Sequence, residues 1–155
     1  MTKQGHPIKR RDVITTLGLG AVAAVALPRP IVSAEPTKQE QANINVVNAM
    51  CATWVAPVDF EKMSMFLADD CVYRASETTP ATTGRTAIIE FLQGFAGQAT
   101  SVEFEIVDTF ARGSIVVNER FDRFSLPTRK IEWHGVGVFY IKDGVIAEWS
   151  DFTVR

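Results

Sequence analysis

Two carboxylates and one arginine lie at strand spacing in the last quarter of the chain, as Arg120-x-Asp122 and Trp149-x-Asp151. Residues two apart on a β-strand point to the same face of the sheet. If the sheet curves around a pocket, the two faces meet, and the planar guanidinium of Arg120 can bridge both aspartates. On spacing alone, a solvated strand face or a surface ion pair is the more usual interpretation.

Such a cluster suits general acid–base catalysis. Two carboxyl groups in different surroundings can hold different protonation states at one pH, and an arginine favours ionisation of the one it binds better. One group then protonates the leaving oxygen of a strained ring, while the other takes a proton from the attacking water. Each proton transfer contributes about 10²- to 10⁴-fold to the rate.

The composition is that of an ordinary globular protein of one-domain length, with 155 residues, 46 % of them hydrophobic. The net charge of −2 gives no reason to expect a nucleic-acid partner, because such a partner needs a basic patch. The sequence contains neither a zinc-type spacing of Cys and His nor a glycine-rich phosphate loop.

Residues 1–34 are predicted to be an export signal, and residues 35–155 to be one catalytic domain. Arg10 and Arg11 precede an apolar run at 13–27, and a cleavage-site pattern ends at Ala34. The arginine pair resembles a bacterial twin-arginine signal, which predicts a periplasmic or secreted protein. A retained membrane anchor is the alternative, although the run is shorter than the ~20 apolar residues of a span. Without the five basic residues and one acidic residue of this segment, the net charge falls from −2 to −6.

Cys51 and Cys71 are the two cysteines. In an oxidising compartment they could form a disulfide, and the alternative is that both are small buried apolar residues. Neither has a histidine nearby in the sequence, so a thiol nucleophile is not expected.

The first half of the domain predicts three helices. Apolar residues recur at helical spacing over 39–55, 60–67 and 85–95. Asp59 is the predicted N-cap of the second helix, and Asp69-Asp70 is its predicted end. A short strand at 71–73 and a loop at 77–84 are predicted before the third helix.

The hydrophobic period changes to two in the second half. It predicts strands at 102–110, 114–124, 130–141 and 145–154, with a hairpin turn at Asp143-Gly144. Helices followed by an antiparallel four-stranded meander indicate an α+β domain with helices on one face of a curved sheet.

The chain resembles the limonene-1,2-epoxide hydrolase family, which belongs to the nuclear transport factor two-like (SnoaL-like) superfamily. The resemblance covers nearly all of residues 35–155, and its most specific segments are 119–122 and 149–151. Less specific matches lie at 137–139 and 143–146. The resemblance implies a cone-shaped α+β fold, in which N-terminal helices pack on a curved, mainly antiparallel sheet that encloses a pocket.

The resemblance also implies an activity: direct addition of water to a small apolar epoxide, giving a vicinal diol without a covalent intermediate, metal or cofactor. Asp122 would protonate the epoxide oxygen, Asp151 would deprotonate the water, and Arg120 would bridge them. Tyr73 stands where the family has a tyrosine that helps to hold the water.

One position departs from the family pattern. Two residues after the tyrosine the family has an asparagine that also holds the water, and this chain has Ala75 there, followed by Ser76. Whether the hydroxyl of Ser76 takes over that task is left open by the sequence.

Other side chains have less specific interpretations. Three aromatic residues fall on faces that could line the pocket and are predicted to bind the substrate, with core packing as the alternative: Phe124, Trp133 and Trp149. His134 alternates away from the pocket and is expected to be structural, and Glu119 and Arg123 are expected on the face opposite the acid cluster.

Two other functions stay open, an isomerase or dehydratase of the same superfamily and a non-enzymatic ligand-binding domain. Ketosteroid isomerases of this superfamily use a tyrosine on an early helix, whereas the tyrosines here are Tyr73 and Tyr140. Dehydratases and cyclases of this shape often use a pocket histidine, for which His134 alone is available in the domain. The exposed sheet face also predicts a homodimer.

Overall fold

The computed structural model describes residues 35–154. Over that range the chain forms three helices and six strands, which are α1 (Lys38–Cys51), α2 (Phe60–Ser64), β1 (Leu67–Arg74), β2 (Thr82–Thr83), α3 (Arg85–Ala96), β3 (Ser101–Arg112), β4 (Ile115–Leu126), β5 (Arg129–Lys142) and β6 (Val145–Thr153). The export signal predicted at 1–34 lies outside the described residues.

The strands form one curved, unclosed sheet in the order β2-β1-β6-β5-β4-β3. Strands β3 to β6 are the predicted antiparallel meander, and each of their ends lies within two residues of the prediction. The Asp143-Gly144 turn is confirmed, since both residues have the positive φ that such a turn requires, 51° and 80°. Strand β1 adds to the meander in parallel with β6, and β2 pairs with the outer edge of β1.

The helices cover the inner face of the sheet, where the core lies. A capping box starts α1: the Thr37 hydroxyl accepts from the Glu40 N–H, and the Glu40 carboxylate accepts from the Thr37 N–H. Helix α1 packs on β3 and β4, and α3 packs on β1. Val47, Met50 and Phe139 are fully buried between these layers. The α+β architecture predicted from the sequence is therefore confirmed.

The sequence misplaced the ends of two helices. Helix α1 ends at Cys51 instead of Val55, whose side chain is exposed. Helix α2 begins at its predicted cap but ends at Ser64, because β1 begins three residues later. Asp69 and Asp70, predicted to break a helix, are exposed residues within that strand. None of the helices between residues 35 and 154 is long and apolar enough to cross a membrane.

Both cysteines are buried and unpaired. Burial raises the pKa of Cys51 to about 12 and that of Cys71 to about 11. The alternative of two small buried residues is therefore the one that the structure shows.

Candidate active site

Arg120 of β4 reaches across β5 to join two aspartates that lie on different strands. Its Nε donates to Oδ1 and Oδ2 of Asp122 at 3.0 and 3.2 Å, and its Nη2 donates to Oδ1 of Asp151 at 2.8 Å. Strands β4 and β6 are both neighbours of β5, so they lie about 10 Å apart. Arg120 is 1 % exposed and each aspartate 5 %, so the structure shows a buried bridge and not a solvated strand face.

Gly137 of β5 makes this span sterically feasible. It is paired with Asn118 on one side and with Asp151 on the other, directly under the path of the arginine side chain. A β-carbon at this position would overlap Nη1 of Arg120 and the ring of Phe139.

The two aspartates have unequal hydrogen-bond environments. Asp151 accepts from Arg120, from the indole Nε1 of Trp149 at 2.8 Å and from the hydroxyl of Tyr73 at 3.3 Å. Asp122 accepts from one residue of the described chain, Arg120. Hydrogen bonds from donors favour the ionised carboxylate, so the surroundings stabilise a charge on Asp151 better than on Asp122.

Burial dominates the electrostatics of the cluster. It raises the pKa of Asp122 to about 7, although Arg120 opposes that rise and the charge of Asp151 adds to it. Burial also raises the pKa of Asp151, against the donors just described. For Arg120 burial opposes the charge, but Asp151 and Asp122 outweigh it and hold its pKa above the ordinary value. Burial and the charge of Asp151 raise the pKa of Tyr73, which is therefore a neutral donor.

A polar chain supports Arg120 from behind. Its Nη1 donates to Oδ1 of Asn118 at 3.3 Å, Nδ2 of Asn118 donates to the hydroxyl of Thr109 at 2.7 Å, and that hydroxyl donates to Oδ1 of Asn48 at 2.9 Å. Asn118 is fully buried. The sequence reasoning missed Asn118, although it continues the two-residue alternation of Arg120 and Asp122 and could have been found on that signal.

A cavity of about 250 Å³ opens beside the cluster. The three predicted aromatic residues all line it, and sequence reasoning did not assign four further aromatic residues of its wall: Trp54, Phe91, Phe95 and Phe104. Ala75 also lines the cavity. The hydroxyl of Ser76 is instead 2.6 Å from that of Thr79, and Ser76 is not among the lining residues, so it does not replace the missing asparagine.

Glu119, Arg123 and His134 lie on the opposite face of the sheet, as expected. Nε2 of His134 is 2.8 Å from the carboxylate of Glu119, and the imidazole stacks on Phe121. Arg123 forms ion pairs with Glu105 and Glu132. Among residues 35–154, no three His, Cys, Asp or Glu side chains are grouped in a way that could hold a metal ion.

A curved, mostly antiparallel sheet with helices on its inner face and a cavity between them is the nuclear transport factor two-like fold. A family model described as the SnoaL-like domain matches residues 47–149. The chain therefore belongs to the SnoaL-like domain family. No curated protein matches the chain significantly.

Solved structures of several kinds share the fold. An LEH-like epoxide hydrolase from M. tuberculosis has 25 % sequence identity and a TM-score of 0.66, over 74 % of this chain and 84 % of that one. A candidate polyketide cyclase from Xanthomonas campestris has 22 % identity and a TM-score of 0.66, over 75 % and 93 %. A protein of unknown function from Burkholderia pseudomallei has 14 % identity and a TM-score of 0.64, over 73 % and 91 %. The last two establish similarity of fold alone.

Proposed function

We propose that the protein is an epoxide hydrolase that adds water directly to a small apolar epoxide and releases a vicinal diol. The observation that carries the proposal is the buried arginine bridge between two carboxylates of unequal surroundings, beside a cavity with an aromatic wall. The similarity to the LEH-like epoxide hydrolase supports the same activity.

Asp122 is the proton donor in this mechanism. Within residues 35–154, Asp151 accepts hydrogen bonds from three residues and Asp122 from one, so a single proton on the pair resides on Asp122. With its pKa raised by burial to about 7, Asp122 is an acid of useful strength near neutral pH. It gives its proton to the epoxide oxygen as the ring C–O bond breaks.

Asp151 is the base. A carboxylate oxygen can accept two hydrogen bonds, and Arg120 and Trp149 both bond to Oδ1 of Asp151. Oδ2 accepts from Tyr73 alone within the described chain, which leaves one lone pair for a water. That water forms the new C–O bond to the ring carbon and passes a proton to Oδ2. After the diol leaves, one proton moves from Asp151 back to Asp122.

The aromatic wall provides the apolar part of the substrate site. Phe124, Trp133 and Trp149 line it, and transfer of apolar surface from water contributes about 25 cal/mol per Å². The single histidine of residues 35–154 lies on the other face of the sheet, so a histidine-dependent dehydratase is supported less well.

The test is turnover of a panel of cyclic and open-chain alkene oxides in H₂¹⁸O. We expect diol from the wild-type chain and at least a 10³-fold lower rate from Asp122→Asn and Asp151→Asn. Glu119→Gln, on the opposite face, is the matched control and should keep the wild-type rate. Absence of diol from every epoxide, with folded wild-type protein, would refute the proposal.

A single turnover with enzyme in excess separates direct water addition from a covalent route. Direct addition puts ¹⁸O into the first diol formed. A carboxylate nucleophile would deliver its own unlabelled oxygen first, so unlabelled diol in that turnover would contradict the proposed role of Asp151.

A further inference from the structure

The indole of Trp133 lies flat across the inner face of β5. Gly135 is paired with Arg120 on one side and with Thr153 on the other. The indole lies over this glycine, since a β-carbon there would overlap Cη2, Cζ2 and Cζ3 of the indole. At the far side Nε1 of Trp133 donates to the hydroxyl of Thr153 at 3.1 Å. The absence of a side chain at Gly135 therefore leaves room for the ring, and the hydrogen bond to Thr153 fixes its edge.

Two aromatic rings cover the guanidinium of Arg120. Its Cζ lies 5.3 Å from the ring centroid of Phe104 and 5.4 Å from that of Trp133. The rings come from the two strands that flank β4, where Phe104 and Trp133 both pair with Asp122. Phe104 is itself stacked on Trp54, with centroids 5.0 Å apart. Aromatic faces attract a cation and displace water from it.

We propose that Trp133 is a positioning residue of the active site. Its indole packs over Gly135, donates a hydrogen bond to Thr153 and keeps water away from the Arg120–Asp122 ion pair. Phe104 covers the same guanidinium but is held by its own aromatic neighbour. Trp133 is half-buried, and a single hydrogen bond to an exposed residue fixes its far edge. Substitution at Trp133, Gly135 or Thr153 therefore tests this part of the cover directly.

The pKa of Asp122 is a measure of how well the two rings exclude water from the ion pair. Four titratable groups of the described chain face Asp122 and its bridge: Arg120 on β4, Asp151 on β6, Tyr73 on β1 and Cys51 on α1. The cavity residues of α3, β3 and β5 are aromatic or aliphatic and do not titrate. Because burial is the main cause of the raised pKa of Asp122, admitting water should lower that pKa towards the ordinary aspartate value.

The experiment is a pH titration of ¹³C-carboxyl-labelled aspartate by NMR, with the Asp122 signal assigned from Asp122→Asn. We expect the midpoint of Asp122 to fall by about one unit or more in Trp133→Leu and in Gly135→Ala. At pH 8 kcat should fall about tenfold or more in both variants, because less acid is protonated. Ile131→Ala is the matched control, since Ile131 lies on the same strand and lines the same cavity. It should leave the midpoint of Asp122 unchanged.

A double-mutant cycle tests whether Gly135 acts through Trp133. If the glycine acts only by leaving room for the indole, Gly135→Ala should add nothing to the shift that Trp133→Leu causes in the titration midpoint of Asp122. Thr153→Val removes the hydrogen bond to the indole at an exposed position and should move the midpoint in the same direction by a smaller amount. It also serves as the test variant if the cavity variants fold poorly.

The catalytic meaning of this proposal rests on the proposed function, but the titration needs no substrate. A wild-type chain that hydrolyses no epoxide, yet shows the midpoint shift in the variants, would refute the epoxide hydrolase and leave the role of Trp133 standing. An active wild type with an unchanged midpoint in Trp133→Leu, Gly135→Ala and Thr153→Val would overturn the role of Trp133.

Discussion

The side chain of Arg120 passes over Gly137, and a β-carbon at this position would overlap Nη1 of the arginine unless that side chain shifted. The glycine belongs to β5, the strand that separates the two halves of the acid cluster. The site therefore depends on a residue that carries no chemistry, because the arginine needs a gap in the intervening strand.

Gly137→Ala should disrupt the bridge. The new methyl group would meet Nη1 of Arg120 and the ring of Phe139, and overpacking of a well-packed interior costs about 1–3 kcal/mol. We expect the free energy of unfolding to fall by that amount and diol formation to fall by at least 10²-fold. Urea denaturation and initial rates measure the two effects.

Gly94→Ala is the control for that prediction. Gly94 lies in α3, where a β-carbon would meet no atom of residues 35–154 within 4 Å. Alanine there should leave activity unchanged and raise stability by up to ~1 kcal/mol through helix propensity. Wild-type turnover in Gly137→Ala would show that the arginine does not need this gap.

Much of the fold follows from local sequence patterns. The alternation of apolar residues after position 101 predicted β3 to β6, and the helical stripe predicted α3. Strand β1 was predicted in part, because Asp69 and Asp70 resemble a helix end. Its parallel pairing with β6 connects segments that are far apart in the sequence, and local periodicity carries no information about such a partner.

The site was predictable to a similar extent. Alternation placed Arg120 and Asp122 on one face, but their contact with Asp151 depends on the strand order and on the gap at Gly137. The inequality of the two aspartates depends on Trp149, which lies two residues before Asp151 on the same strand, and on Tyr73, which reaches Asp151 only because β1 joins β6. The bridge and the Tyr73 contact arise from long-range register, which spacing along one strand cannot reveal.

Trp149→Phe should disfavour the ionised form of the Asp151 base. The substitution removes the Nε1–H that bonds to the buried carboxylate of Asp151, and a lost hydrogen bond to a charged group costs about 1.5–3 kcal/mol. With one donor fewer, the pKa of Asp151 should rise further, so the acidic limb of the pH–rate profile should move to higher pH. Thermal unfolding and the pH dependence of kcat measure these effects.

Trp54→Phe is the matched control. Trp54 is buried like Trp149, but its Nε1 has no hydrogen-bond partner within residues 35–154. Phenylalanine there removes ring volume alone, so the acidic limb should stay in place and the loss of stability should be the smaller of the two. Equal pH shifts in both variants would contradict a specific role for the Trp149 donor.

Activity should decline on the alkaline side as Asp122 ionises. The pKa of Asp122, raised to about 7 by burial, predicts that kcat/KM falls above that pH by about tenfold per unit. The residual activity of Asp122→Asn should lack this limb. A profile that stays flat to pH 9 in the wild-type chain would show that Asp122 is not the proton donor.

Stability should also fall as the pH rises from about 4 to about 7. Burial raises the pKa of Asp122 from 3.8 to about 7, so in this window the native state keeps a proton that the unfolded chain has released. The unfolded state is then stabilised progressively as its carboxyl ionises, on the order of 2–4 kcal/mol in total, and Asp151 acts in the same direction. Urea denaturation from pH 4 to pH 8 should show that the free energy of unfolding falls less steeply with pH in Asp122→Asn than in the wild-type chain.

Asp143→Asn, in an exposed turn, is the control and should keep the wild-type pH dependence. An unaltered pH dependence in Asp122→Asn would mean that Asp122 is ionised in the native state throughout.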